Sequence, residues 1–238
     1  MAISTKVFHL DPLGQYPSRG ILVGDPNRAK FIADSFFKRV RKLNESRGLM
    51  AYSGFYQGKK YFVQTTGMGG PSIAIVIHEL LKLGVKQVIK VGTCFSISKL
   101  DLGEILLVNR VYIKDGTGLK YLARGIFGCK YIDSNMIKLV KNKFFFSAVG
   151  TTSSTDTFYN PDLKSDIRFL LKKRVIGIDM EMSSLYALSQ KLSFKALGIL
   201  VVSDKWLENK QQVVFCDKKD LKISIKKATK LAMEILNE

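Results

Sequence analysis

The run Ala196-Leu-Gly-Ile-Leu-Val-Val-Ser-Asp204 opens with seven residues that are apolar or glycine and ends on a hydroxyl and a carboxylate. An unbroken apolar run of this length, without alternation, is the pattern of a parallel strand covered on both faces. Arg174-Val-Ile-Gly-Ile178 repeats the pattern earlier in the chain and runs into Asp179-Met180-Glu181. In open α/β sheets, ligands bind outside the carboxyl ends of the strands. Two acidic segments brought to those ends suggest a small-molecule site in which one carboxylate binds and another moves a proton.

Outward from these stretches, strand-like runs recur at Gly20–Val23, Tyr61–Thr66, Gln87–Thr93, Glu104–Val111 and Phe144–Thr151. Helical patterns lie between several of them. Ser72–Leu83 places Ile73, Val76, Ile77, Leu80 and Leu81 on one face, and Arg28–Phe37, Met182–Lys191 and Lys218–Leu236 also read as helices, the last with a lysine-rich outer face. The alternation predicts an α/β fold of three layers, a mixed and mostly parallel central sheet with helices on both sides. Tyr52–Gln57 and Tyr61–Thr66, joined across Gly58-Lys-Lys60, predict an antiparallel hairpin. There is no linker, low-complexity segment or internal repeat, so a single domain is expected over residues 1–238.

A chain of 238 residues with 46% hydrophobic content is long enough to bury a sizeable core. No apolar run approaches the roughly eighteen residues of a membrane span, and the N-terminus lacks the apolar segment of a signal peptide. Cys94, Cys129 and Cys216 are too few and too scattered for a disulfide framework or a zinc site. The expectation is a reduced, cytoplasmic protein without a metal or a membrane partner. The net charge of +18 is the loudest compositional signal, but only nine of the 38 basic residues are arginine, and the lysines are spread along the whole chain. Without a basic tail, zinc-finger spacing or RNP-type aromatic motif, charge alone argues weakly for nucleic acid. It is equally compatible with attraction of a small anionic substrate.

Several segments carry chemistry. Gly24-Asp25-Pro26-Asn27-Arg28 follows the first strand and opens a helix: the glycine lets an anion approach, the helix N-terminus offers free N–H groups, and Arg28 adds a fork of donors. The same pattern also serves as a plain turn. Lys90-Val91-Gly92-Thr93-Cys94 closes the central strand with a cation, a glycine and a hydroxyl; the alternatives are a solvated Lys90 and a capping Thr93. Gly67-Met68-Gly69-Gly70 implies close backbone approach, with Met68 as a pocket floor or a core residue. Glu181 reads as an acceptor for vicinal hydroxyls or as a first-turn acid favoured by the helix dipole. Asp204, partly desolvated at a strand end, reads as a general acid or as an N-cap. His78 lies in a helix and reads as structural, whereas His9 precedes Asp11-Pro12 in a segment that is mobile unless docked.

The order and spacing of the Gly-Asp-Pro-x-Arg turn, the strand-end Gly92-Thr93-Cys94, Thr155-Asp-Thr-Phe-Tyr159, Asp179-Met180-Glu181 and Ser203-Asp204 resemble the nucleoside phosphorylase superfamily. The resemblance is to its hexameric branch of bacterial-type purine nucleoside phosphorylases and uridine phosphorylases, and it runs from His9 to the C-terminal helix. It implies reversible phosphorolysis of a nucleoside to free base and pentose 1-phosphate, with inorganic phosphate as co-substrate and no cofactor. By the same resemblance Gly24, Arg28, Lys90 and Thr93 bind phosphate, with Arg47 supplied by a neighbouring subunit. Met68, Met180 and Glu181 hold the ribose, with His9 supplied by the neighbour. Phe158, Ser203 and Asp204 meet the base, and Asp204 protonates purine N7. The implied assembly is a homohexamer built as a trimer of dimers.

The chain departs from that pattern in three places. Lys90 stands where an arginine is common, which keeps the charge and loses the bidentate fork. Phe95 stands where a glycine is common, narrowing the base end. No arginine follows Arg174, so Lys205, Lys218 or Lys219 must assist Asp204 or the assistance is absent. Thr155–Tyr159 is closer to the uridine phosphorylase version. Uridine or broad-specificity phosphorolysis, water-dependent hydrolysis and non-enzymatic nucleoside or nucleic-acid binding are the competing readings.

Overall fold

The computed structural model describes residues 6–122, 131–140 and 142–238, so Cys129 lies outside the described residues. Its strands are β1 (Arg19–Val23), β2 (Lys38–Asn44), β3 (Ala51–Tyr56), β4 (Lys59–Thr65), β5 (Gln87–Ser96), β6 (Ile105–Tyr112), β7 (Tyr131–Asp133), β8 (Ala148–Ser154), β9 (Val175–Asp179), β10 (Lys195–Leu207) and β11 (Gln212–Phe215). The helices are α1 (Pro26–Phe36), α2 (Gly70–Lys82), α3 (Gly116–Tyr121), α4 (Ile137–Val140), α5 (Leu163–Lys172), α6 (Met182–Leu192) and α7 (Lys218–Asn237).

Strands β4, β1, β5 and β10 lie side by side and parallel, the arrangement predicted for the unbroken apolar run of β10. The predicted hairpin is β3–β4, and β2 extends it as an antiparallel edge. The other half of the sheet does not stay open. β10 pairs antiparallel with β6, β6 parallel with β8, β8 parallel with β9, and β9 returns antiparallel to β5. Strands β5, β10, β6, β8 and β9 therefore close a ring, and β1, β4, β3 and β2 form an open wing on it. The thirteen-residue β10 makes this possible, pairing with β5 along most of its length, with β6 through its first half and with β11 through its second.

Helices cover the sheet on both sides. Ile32, Ala33, Ile225, Ala228 and Met233 from α1 and α7 pack with Ile21, Val23, Ile89 and Ile199. On the opposite face, Ile73, Ile77 and Leu80 of α2 and Leu185 and Leu188 of α6 pack with Leu22, Val88 and Leu200. A third, smaller cluster (Ile97, Ile167, Leu170, Ile178, Trp206) lies under α5 and is flanked by Phe95, Leu163 and Val213. Burial of these side chains, at about 25 cal/mol per Å2 of apolar area, is the main term holding the layers together.

Two strand boundaries differ from the sequence reading. Phe144–Thr151 is paired only from Ala148 onward, because Phe144 and Phe146 pack into the α1/α7 core from a loop while Phe145 is exposed. The last core strand does not end at Asp204 but continues to Leu207, with a register shift between Val202 and Asp204. A bulge there bends the strand and re-aims the side chains around Ser203.

Candidate functional site

A cavity of about 480 Å3 opens where β1, β5, β9 and β10 leave the sheet. Ten of the sequence-derived candidates line it: Gly24, Arg28, Met68, Lys90, Thr93, Phe158, Met180, Glu181, Ser203 and Asp204. The element order divides it into a cationic end at β1 and β5, a centre at the β9–α6 junction, and an acidic, aromatic end at β10, β11 and α5.

At the cationic end, Asp25 caps α1 by accepting from Asn27 N at 2.8 Å, with Pro26 in the first turn. The cap fixes the helix start and sets half-buried Arg28 one turn in. Desolvation lowers the Arg28 pKa from its usual value, and the charges of Asp25 and Glu181 oppose that shift. Lys90 is not the solvated strand residue that was one alternative: it is 2% exposed. Thr93 lies within β5 and does not cap a helix.

The centre is organised by Asp179, the last residue of β9. Its carboxylate accepts from Ser154 Oγ at 2.6 Å and from the backbone N–H groups of Glu181 and Met182 at 3.0 and 2.8 Å. Burial, reinforced by the neighbouring Glu181 charge, pushes its pKa up to about 6. Asp179 thus fixes the turn that presents Met180 and Glu181. Both oxygens of Glu181 are engaged, Oε1 by Gly69 N at 2.7 Å and Oε2 by Lys90 Nζ at 3.0 Å. Gly69 has φ +86, a conformation that favours glycine, so the glycine-rich turn is needed to aim this N–H at Glu181.

At the acidic end, Ser203 Oγ donates to Asp204 Oδ1. Burial raises the pKa of Asp204, and the Ser203 hydrogen bond pulls against it. Phe95, paired in register with Asp204, and Phe215, opposite it on β11, form an apolar surround. None of the three lysines considered as assistants to Asp204 lines the cavity; Lys205 pairs with Asp101, and Lys218 and Lys219 open α7.

His9 and Arg47 stand apart from this cavity. Arg47 is exposed at φ +57 in the 3-10 turn Ser46–Gly48 beyond the β2 edge. His9 lines a separate hollow against α2 and α3. Its segment is docked rather than loose: Glu79, 4% exposed, accepts from the N–H groups of Phe8, His9 and Leu10 and contacts His9 Nδ1 at 2.8 Å. His78 meets Tyr121 Oη at 3.1 Å, a packing role.

The sequence reading missed Glu79, Asn160 and Asp166, the last two of which line the cavity. Glu79 was readable as a carboxylate at the margin of the apolar α2 stripe, where it needs partners. Asn160 and Asp166 carried no such signal, because their loop and first-turn positions look solvated in sequence, and the pairing of Asp166 with Lys114 is made only by the fold.

The chain is similar to known proteins in sequence and in fold. A family model described as the phosphorylase superfamily matches residues 18–237. A DeoD-type purine nucleoside phosphorylase from Clostridium novyi is 37% identical over 221 residues, covering 90% of this chain and 92% of the relative. One from Bacillus subtilis is 37% identical over 207 residues, covering 83% and 86%. Among solved structures, the fold is shared with a purine nucleoside phosphorylase from Toxoplasma gondii in complex with immucillin-H (TM-score 0.82, 24% identity, 94% and 92% coverage). It is shared also with a uridine phosphorylase from Vibrio fischeri (TM-score 0.79, 22% identity, 94% and 93% coverage). With the family match extending over nearly the whole chain, this protein belongs to the phosphorylase superfamily.

Proposed function

We propose that the protein is a purine nucleoside phosphorylase, converting purine ribo- or deoxyribonucleoside and inorganic phosphate reversibly to free base and pentose 1-phosphate. The observation that carries the reading is that Arg28, Lys90 and Thr93, Glu181, and Asp204 line one cavity in the order phosphate, sugar and base require. The names of the DeoD-type relatives support it.

In the proposed reaction, a phosphate oxygen held by Arg28, Lys90, Thr93 and the Gly24 backbone forms a bond to C1′ as the glycosidic C–N bond breaks. The bonding electrons pass to the purine, and Asp204 gives its proton to N7, taking another from solvent afterwards. Positive charge developing on the ribose is balanced by the phosphate, and negative charge on the base by the proton. Met68 and Met180 bound the sugar, and Glu181 accepts from its 2′ and 3′ hydroxyls. Phe158 lies against the base and Ser203 orients Asp204. Phosphate serves as co-substrate, and no cofactor takes part.

We further propose a homohexamer, a trimer of dimers, in which Arg47 and His9 complete the neighbour's phosphate and 5′-hydroxyl contacts, in a cytoplasmic enzyme of purine salvage. Among the described residues no helix is long and apolar enough to cross a membrane. One observation favours a second reading: Thr155, Thr157, Phe158 and Tyr159, the segment closer to uridine phosphorylases, line the cavity.

The deciding measurement is base release from inosine, adenosine and uridine with and without phosphate. Phosphate-dependent release from a purine nucleoside is the expected result. Phosphate-independent release assigns hydrolysis, and release from uridine alone assigns the second reading. Asp204→Asn lowers purine phosphorolysis by about 10²–10⁴-fold, the usual worth of a general acid, and spares uridine.

A further inference from the structure

The cavity wall carries a carboxylate with no role so far, Asp166. It stands in the first turn of α5, three residues after Leu163, which also lines the cavity and packs with the cluster that includes Phe95 and Val213. Phe95 is paired in register with Asp204, so Asp166 and Asp204 belong to the same end. Lys114, which does not line the cavity, forms an ion pair with Asp166 through Oδ2. Asn160 Nδ2 donates to that same oxygen at 3.0 Å. Oδ1 is left without a protein donor among the described residues. The amide oxygen of Asn160 accepts from Asp162 N at 2.8 Å, which holds the side chain in place beside Asp166. An ionised carboxylate oxygen only accepts hydrogen bonds.

We infer that Asp166 selects the base, favouring 6-aminopurines over 6-oxopurines; this rests on the phosphorolysis proposed above. The exocyclic amine of adenine adjoins N7, the atom that Asp204 protonates. One edge of the base then meets two carboxylates in complementary states, Asp204 donating to N7 and Asp166 accepting from the amine. A 6-oxopurine turns O6 lone pairs toward Asp166 and leaves two acceptors facing each other. Sites built around a buried polar group discriminate strongly against an analogue that cannot pair with it.

The test compares kcat/KM for adenosine and inosine, with phosphate, in the native enzyme and in Asp166→Asn, whose amide can also donate to O6. The expected result is an adenosine preference of about tenfold or more in the native enzyme, a step worth about 1.4 kcal/mol. The ratio should move toward inosine by a similar factor in the variant. Because a ratio is read, partial misfolding of the variant lowers both rates without imitating the effect. Titration calorimetry of the native protein with free adenine and hypoxanthine reads the same preference without turnover. Tighter adenine binding by a protein that does not phosphorolyse supports the role of Asp166 and sinks the proposed reaction. Equal binding of the two bases, a native preference for inosine, or an unchanged ratio in Asp166→Asn overturns the role of Asp166.

Discussion

Burial raises the pKa of Asp204, while its hydrogen bond from Ser203 acts in the opposite direction. The sign has a kinetic consequence. A raised pKa keeps more of the carboxyl protonated at a given pH, and a general acid works only in that form. Purine phosphorolysis should therefore decline as pH rises through the Asp204 pKa, and Asp204→Asn should flatten that limb of the kcat/KM profile. A limb that survives the substitution belongs to another group. Lys90 is bound to Glu181 in the free protein, so both partners are already neutralised. Lys90→Ala leaves a buried carboxylate without its cation, at a cost of about 3–5 kcal/mol, read as a fall in Tm. At this scale the sequence exposed the cavity residues well, because glycine, hydroxyl and acid clusters follow strand ends. It did not expose the Lys90–Glu181 pair, since the two residues are joined only by the meeting of β5 with the β9–α6 turn. Nor did it expose Asp166, whose partners are Lys114, distant in sequence, and Asn160 in the preceding loop.

Helices α1, α2, α6 and α7 and the apolar strands follow from local pattern; α3, α4 and α5 were not expected from it, and the strands missed have local causes. β2 reads Lys-Arg-Val-Arg-Lys-Leu-Asn, mostly exposed, as suits an edge strand that charge protects from unwanted pairing. β7 and β11 are three and four residues long, too short for alternation to show. The bond between β10 and β6 depends on a side chain from a helix. Tyr186 of α6 donates its hydroxyl to Val108 O at 2.6 Å and accepts from Gly198 N at 3.0 Å, bridging a registered pair of the two strands. Tyr186→Phe strands a buried N–H and a carbonyl and should cost about 1–3 kcal/mol for each group left unsatisfied. Chemical denaturation measures it; a loss under 0.5 kcal/mol would mean that the strands close up without the hydroxyl. Glu79→Gln keeps the packing volume of the α2 clamp but loses charge-assisted bonds to residues 8–10. Faster amide exchange confined to that segment is the expected signature.

The molecule as a whole carries Arg47 and His9 away from its own cavity, and in the proposed assembly this separation becomes a requirement for a neighbour. Arg47→Ala should weaken phosphate binding by about 1.5–3 kcal/mol, the worth of a hydrogen bond to a charged group. Unchanged phosphate affinity would exclude the trans contact. Composition and alternation were sufficient for an α/β sheet with helices on both sides, but closure of the ring was not legible. It depends on β10 being long enough to serve three partners, which no local window reveals. That closure governs how the chain folds. β5 must find β9 and β10 across a long intervening sequence, and non-local pairings of this kind slow folding. Helices and the β3–β4 hairpin can form early, while both acidic segments wait for the ring. Trp206, the sole tryptophan, sits in the cluster at the ring's end. In refolding from denaturant, far-UV ellipticity should return first, and Trp206 fluorescence should return later, together with ligand binding.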